Sequence, residues 1–181
     1  MASFGARMVG AAKLDAATYE EVEHDAGATG QAAAVVILSS IAGGIAVWDE
    51  LGFAGLIGGA FGSLVGWFVW AFVTYIVGTR ILPGPDTEAD TGQLLRTLGF
   101  SSSPGLLQVF GVIPMLGGIV LWIASFWMLA AMVVAVRQAL DYESTWRAIA
   151  VCIFGFVAYV LSMFGLAAII VALSGGTPGG P

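Results

Sequence analysis

The chain of 181 residues is 59% hydrophobic and only 10% charged, with a mean hydropathy of +0.94. Soluble domains average about 45–50% apolar and about 25% charged residues, so this composition excludes a soluble globule and predicts an all-α bundle in lipid. The net charge of −6 comes mostly from an acidic N-terminal segment and a loop around 86–90, and so offers no basic face to nucleic acid.

Residues 1–30 form the only sizeable polar segment and lack the apolar core of a signal peptide. Phe4, Met8, Ala12, Tyr19 and Val22 recur near helical spacing, and Thr18 with Glu21 has the form of a capping box. This predicts a short cytoplasmic amphipathic helix lying at the membrane surface, its apolar residues dipping into the interface. A first span over 31–48 follows, closed by Trp48, then a tight turn at Asp49 and Glu50. The second span, 51–77, carries Gly58, Gly62 and Gly66 at four-residue intervals, a stripe that lets another helix approach closely.

The 78–91 stretch, with Pro83, Gly84 and Pro85, reads as loop. Next comes the stretch with Pro104, Gln108 and Pro114, then a span over 115–137, a polar turn at 141–146 and a last span over 147–173. The Gly/Pro-rich tail, 174–181, reads as disordered. Cys152 lies in an apolar run; alone, it closes no internal disulfide and reads as a small buried hydrophobe.

From Pro104 to Val136 the chain is apolar for about 33 residues, roughly 50 Å as one helix. That is too long for one ordinary span and too short for two. Either 98–113 crosses as a short span, giving five, or it is re-entrant, giving four. With five, all six basic residues (Arg7, Lys13, Arg80, Arg96, Arg137 and Arg147) share one side. With four, Arg137 and Arg147 move across. The positive-inside rule favours five spans, a cytoplasmic N-terminus and a C-terminus outside.

Several segments together carry a family resemblance. They are the run from Arg96 to Pro104 (Arg-Thr-Leu-Gly-Phe-Ser-Ser-Ser-Pro), Pro114, Ala135-Val-Arg137-Gln-Ala139, and Trp146-Arg147-Ala148. Ahead of the first span stand Leu14-Asp15-Ala-Ala-Thr-Tyr19-Glu-Glu-Val-Glu23-His-Asp25 and Ala28-Thr29-Gly30-Gln31-Ala32. In order and spacing the chain resembles the Yip-domain (Ypt-interacting protein) membrane protein family, its bacterial branch in particular, over about 7–173. The resemblance implies a five-span bundle with a cytoplasmic N-terminus. For eukaryotic members it also implies small-GTPase partners and roles in trafficking and membrane shape. Those members carry an Asp-Leu-Tyr-Gly-Pro motif that this chain lacks; the nearest equivalent is the region from Asp15 to Tyr19, without Gly-Pro.

Candidate chemistry is sparse. No ionisable residue falls within 51–77, 106–136 or 148–173, where a proton or ion path would need one. Gln108 and Ser162 are among the polar residues at depth, and Gln108 predicts an interhelical hydrogen bond. A serine nucleophile needs a base within reach, and the sole histidine, His24, lies in the polar segment, so no catalytic residue is expected. Glu20, Glu21 and His24 are candidate cation ligands, with Glu23 and Asp25 adjacent. An oxygen cage needs several convergent groups, however, and one turn of one helix supplies few. The expectation is therefore no metal and no cofactor, and a solvated acidic face pairing with Arg96, Arg137 and Arg147.

The predicted interaction surface is Tyr19, Glu20, Glu21, Glu23 and Asp25 with that arginine rim; Gly58, Gly62, Gly66, Gln108, Pro104 and Pro114 are predicted to pack or shape helices. The expected function is a non-enzymatic scaffold that organises membrane or binds protein, by self-association or with other membrane proteins. The alternative is a small oligomeric transporter or channel with Gln108 and the glycine stripe along its path.

Overall fold

The computed structural model describes residues 2–85 and 87–173, with side chains to 161; Asp86, Ser162 and the predicted disordered tail lie outside that description. The described residues form seven α-helices and no strand. They are α1 (Phe4–Ala12), α2 (Ala16–His24), α3 (Thr29–Ala46), α4 (Trp48–Ile76), α5 (Thr91–Phe100), α6 (Gly117–Ala139) and α7 (Thr145–Leu173). A short 3₁₀ turn (Ala26–Ala28) leads into α3, a π turn (Val77–Ile81) ends α4, and a ten-residue 3₁₀ segment (Ser103–Val112) follows α5.

Among the described residues three helical stretches are long and apolar enough to cross a membrane: Ala26–Ala46, Trp48–Ile81 and Gly117–Ala139. Their outer faces leave large apolar side chains uncovered, including Phe61 and Phe68 on α4 and Trp122 and Phe126 on α6. Such contiguous apolar surface is unstable in water and stable in hydrocarbon, where helices satisfy their backbone groups internally. Near the start of α4, Gly52 takes φ 57° and ψ −160°, open to glycine and barred to most side chains. It separates the first turn, with Asp49 and Glu50, from the long apolar part of the helix.

The stretch that the sequence leaves ambiguous has a definite course. Positions 99, 105 and 111 approach Ala32, Ser39 and Ala46 in turn, so tightly that a Cβ at 99 would come within 2.6 Å of the Ala32 Cβ. Six residues here keep pace with seven of α3. Seven α-helical residues rise about 10.5 Å, so this segment rises about 1.75 Å per residue, between the α and 3₁₀ values. A tightened helix thus carries a short sequence along the whole of α3. Pro104, in the first turn of the 3₁₀ segment, fits there because its missing N–H would have no partner. Beyond the segment the chain reverses at Met115, whose φ is 67°, and Gly117 packs on the backbone of Gly111 to start α6.

At the other end of α3 the polar N-terminal segment is a folded part of the molecule. Instead of one surface helix it makes a two-helix hairpin, α1 and α2, turned through Leu14 at φ 63°. Asp15, not Thr18, stands at the N-cap of α2, and the Thr18 hydroxyl donates to Asp15 Oδ2 at 2.7 Å. Tyr19 and Val22 are fully buried in the protein core rather than turned toward a membrane surface. Phe4 meets Phe100 edge-on at 6.4 Å, and Trp127 Nε1 of α6 donates to the Ala12 carbonyl at 2.7 Å, pinning α1 to the bundle.

Candidate functional site

The polar chemistry gathers where α1, α2, α5 and the C-terminal end of α6 meet. Asp90 and Gln93 form a capping box: Asp90 Oδ1 accepts from the Gln93 N–H at 2.9 Å, and Gln93 Oε1 accepts from the Asp90 N–H at 2.6 Å. This fixes the start of α5 and aims the Gln93 amide outward to α2. One turn on, Arg96 is buried, and its guanidinium donates to the carbonyls of Val22 (3.1 Å) and Glu23 (2.9 Å from Nε, with a closer contact from Nη2). Carbonyls in the last turn of a helix lack intrahelical partners and carry the negative end of its dipole, so Arg96 is a C-terminal cap for α2.

Arg7 does the neutralising that the sequence reading assigns to Arg96, Arg137 and Arg147. It is buried between Glu21 (2.9 Å) and Asp25 (2.7 Å) and donates also to Gln31 Oε1 at 3.1 Å. The Ala2 N–H and Arg7 hold the Glu21 carboxyl below its ordinary range, and Arg7 with the Gly27 N–H does the same for Asp25. Arg137 turns to the carbonyls of Tyr142 and Glu143 (3.1 Å each). Arg147 lies over the Tyr142 ring at 5.7 Å. Tyr142 in turn donates to the carbonyls of Gly78 (3.0 Å) and Leu82 (2.6 Å), tying the end of α4 to the α6–α7 turn.

On the opposite side of α2, Glu20, Glu23 and His24 converge, with one ligand-type atom from each lying within 4.8 Å of the others. Glu23 is 1% exposed. Its Oε1 accepts from Gln93 Nε2 at 3.1 Å, while Oε2 is buried with no partner among the described residues. Burial, with Glu20 and Asp141 adding repulsion, pushes this carboxyl up to about 7. Glu20 Oε1 accepts from Gln138 Nε2 of α6 at 2.7 Å, and His24 Nδ1 lies 2.9 Å from the Glu20 carbonyl, which raises the imidazole pKa.

The predicted site residues therefore separate. Glu20, Glu23 and His24 come together, whereas Glu21 and Asp25 go to Arg7. Tyr19, predicted as an interaction residue, is a core residue with its hydroxyl donating to the Ala11 carbonyl at 3.1 Å. Gln93, Gln138 and Arg7 are the supporting residues that the sequence reading passes over. The spacing of Asp90 and Gln93 is a visible capping-box signal; nothing local marks Arg7 or Gln138.

Within the bundle, Gln108 sits between α3 and α6, with Nε2 3.8 Å from Met128 Sδ. It lines a cavity of about 1010 Å³ together with Ser40, Ser63, Trp70 and Tyr159. Ser63 donates to Ser40 Oγ at 3.1 Å, joining α4 to α3. Apart from adjoining residues and the backbone of α4 itself, no described residue lies within 4 Å of a Cβ placed at Gly58 or Gly62, and only the Tyr159 hydroxyl, at 3.6 Å, approaches one at Gly66. Close approaches between elements are instead made at other glycines, among them Gly10, Gly78, Gly99, Gly105 and Gly111.

All-helical architecture, long apolar helices and uncovered apolar faces define a helical membrane protein. Residues 17–166 match the Yip1 domain, and the chain belongs to the Yip1 domain family. No curated protein and no solved structure matches it. The match begins in α2, so the family domain includes most of the polar platform as well as the apolar helices.

Proposed function

We propose that this protein is a non-enzymatic, bacterial-type Yip member that threads a prokaryotic cytoplasmic membrane five times and serves as a protein-interaction or membrane-organising scaffold. The spans are taken as 31–48, 51–77, 98–113, 115–137 and 147–173, with 1–30 cytoplasmic. The observation that carries this reading is the union of the polar N-terminal hairpin with the bundle end. Arg7 and Arg96 bind α2, and Arg137 and Arg147 engage Tyr142, which also holds the end of α4. A folded platform that gathers the lysine and arginines at one end fits the positive-inside rule, which counts cations and not net charge, with that end in the cytosol. The course of the 3₁₀ segment along α3 supports an odd number of crossings. Exposed Glu88, Glu143 and Trp146 give the platform a charged and aromatic rim suited to a protein partner or a neighbouring copy.

Two measurements test it. On a Cys152→Ala background, an impermeant thiol reagent applied from the cytosolic face should label Glu88→Cys and spare Gly118→Cys. Photocrosslinkers at 88 and 143 in native membranes should then give one discrete adduct, abolished by reversing the neighbouring rim charge. Labelling of both cysteines from one face would overturn the threading. Substrate-specific flux in proteoliposomes, lost on Gln108→Leu, would overturn the scaffold.

A further inference from the structure

We propose that Glu20, Glu23 and His24 form a binding site for one divalent first-row transition-metal ion, with two carboxylate oxygens and one imidazole nitrogen as protein ligands. The proposal stands apart from the scaffold reading and rests on four features of the cluster.

The first is the buried oxygen. Glu23 is 1% exposed, its carboxyl lies in the cluster, and Oε2 has no partner among the described residues. A buried carboxylate oxygen left bare is costly, and burial of such a group is ordinarily offset by a cation, a donor or a proton. No arginine bonds that oxygen: Arg7 is committed to Glu21 and Asp25, and Arg96, whose charge acts on Glu23 from a distance, to backbone carbonyls. Asp141 adds further negative potential at Glu23.

The second is the histidine tautomer. A carbonyl oxygen can only accept, so His24 Nδ1, 2.9 Å from the Glu20 carbonyl, carries the proton in the neutral ring. Nε2 then presents its lone pair. A metal-ligating histidine characteristically donates its other ring N–H to a carbonyl or carboxylate, which fixes the ring and raises its basicity.

The third is that each carboxylate is held from outside the cluster. Gln138 of α6 grips one oxygen of Glu20, and Gln93 of α5 grips one oxygen of Glu23. Each acid so retains a second oxygen for a ligand, and three separate helices set the geometry. The limitation that one helical turn imposes on a cage is thereby relieved.

The fourth is size. Bonds of about 2.1 Å place two ligands of one ion at most about 4.2 Å apart. One ligand-type atom of each side chain, a ring nitrogen in the case of His24, lies within 4.8 Å of the others, close to that span, and exposed His24 can adjust to close it. Mixed oxygen and imidazole donors favour ions such as Mn²⁺ or Zn²⁺ over the all-oxygen preference of Ca²⁺ and Mg²⁺.

The test uses the full-length protein in nanodiscs, titrated with Mn²⁺ and followed by electron paramagnetic resonance, with Zn²⁺ as competitor. The expected result is saturable binding of one Mn²⁺ per chain, displaced by Zn²⁺, with nitrogen coupling from the imidazole. His24→Ala should remove that coupling, and it and Glu20→Gln should each weaken binding by about tenfold or more; Gln138→Leu should weaken it by about tenfold through the supporting shell. Glu21→Gln, in the same helix but outside the cluster, should leave binding unchanged. Gel filtration establishes that each variant remains folded, and exposed His24 is the variant least coupled to folding. Absence of saturable binding, as a simply protonated Glu23 would give, overturns the site. So does equal loss in Glu21→Gln, the mark of a diffuse acidic surface, or retention in all variants.

Discussion

Gly105 lies directly against Ser39, and a Cβ built on the glycine would collide with the serine Oγ while coming within 2.9 Å of Met128 Sδ. The contact joins the 3₁₀ segment to the middle of α3 and holds the apolar segment 103–112 against that helix. Small residues do this work in hydrocarbon, where close packing replaces the hydrophobic drive.

Gly105→Leu should therefore push the segment away from α3 and destabilise the bundle by about 1–3 kcal/mol, the usual range for overpacking. Gly118→Leu, at a glycine whose Cβ position meets no other part of the described protein within 4 Å, should have little effect. Thermal unfolding in detergent, read by loss of the monodisperse gel-filtration peak, compares the two. Equal melting temperatures would contradict the packing described.

Removing the cap on α2 is a second test. Arg96→Met leaves the carbonyls of Val22 and Glu23 without their charged donor, a loss of about 1.5–3 kcal/mol per hydrogen bond to a charged group. Amide hydrogen exchange through α2 should accelerate, with α6 unaffected. Arg96→Lys should recover only part of the protection, because an ammonium lacks the planar fork that reaches both carbonyls.

Arg7→Met should release α1 without unfolding the spanning helices. It deletes the bonds to Glu21, Asp25 and Gln31 and leaves two carboxylates facing one another. Limited proteolysis should then cut near Lys13 faster than in the intact protein, while the fragment beginning at α3 stays whole.

Tyr142→Phe removes a hydroxyl shared by the carbonyls of Gly78 and Leu82. Leaving buried acceptors unpaired costs about 1–3 kcal/mol. The local expectation is faster exchange and higher thiol reactivity of a Glu88→Cys probe in the 82–90 loop. Unchanged reactivity would mean that the tie does not restrain the loop.

Composition and local pattern determined that this protein is helical and lives in lipid. They also marked the long apolar stretches, since hydropathy and helix length are properties of consecutive residues. The order and spacing of short runs such as the one from Arg96 to Pro104 carried the family, over a region that includes the matched 17–166. Tertiary structure decided which residues meet. It paired Arg7 rather than Arg96 with the acids, buried Tyr19, and carried 103–112 along α3 by tightening the helix. It also set Gln93 and Gln138 behind Glu23 and Glu20. Those outcomes join residues up to 118 positions apart. No periodic signal reaches that far, because a side chain's partner is chosen by the packing of whole helices and not by its neighbours in the chain.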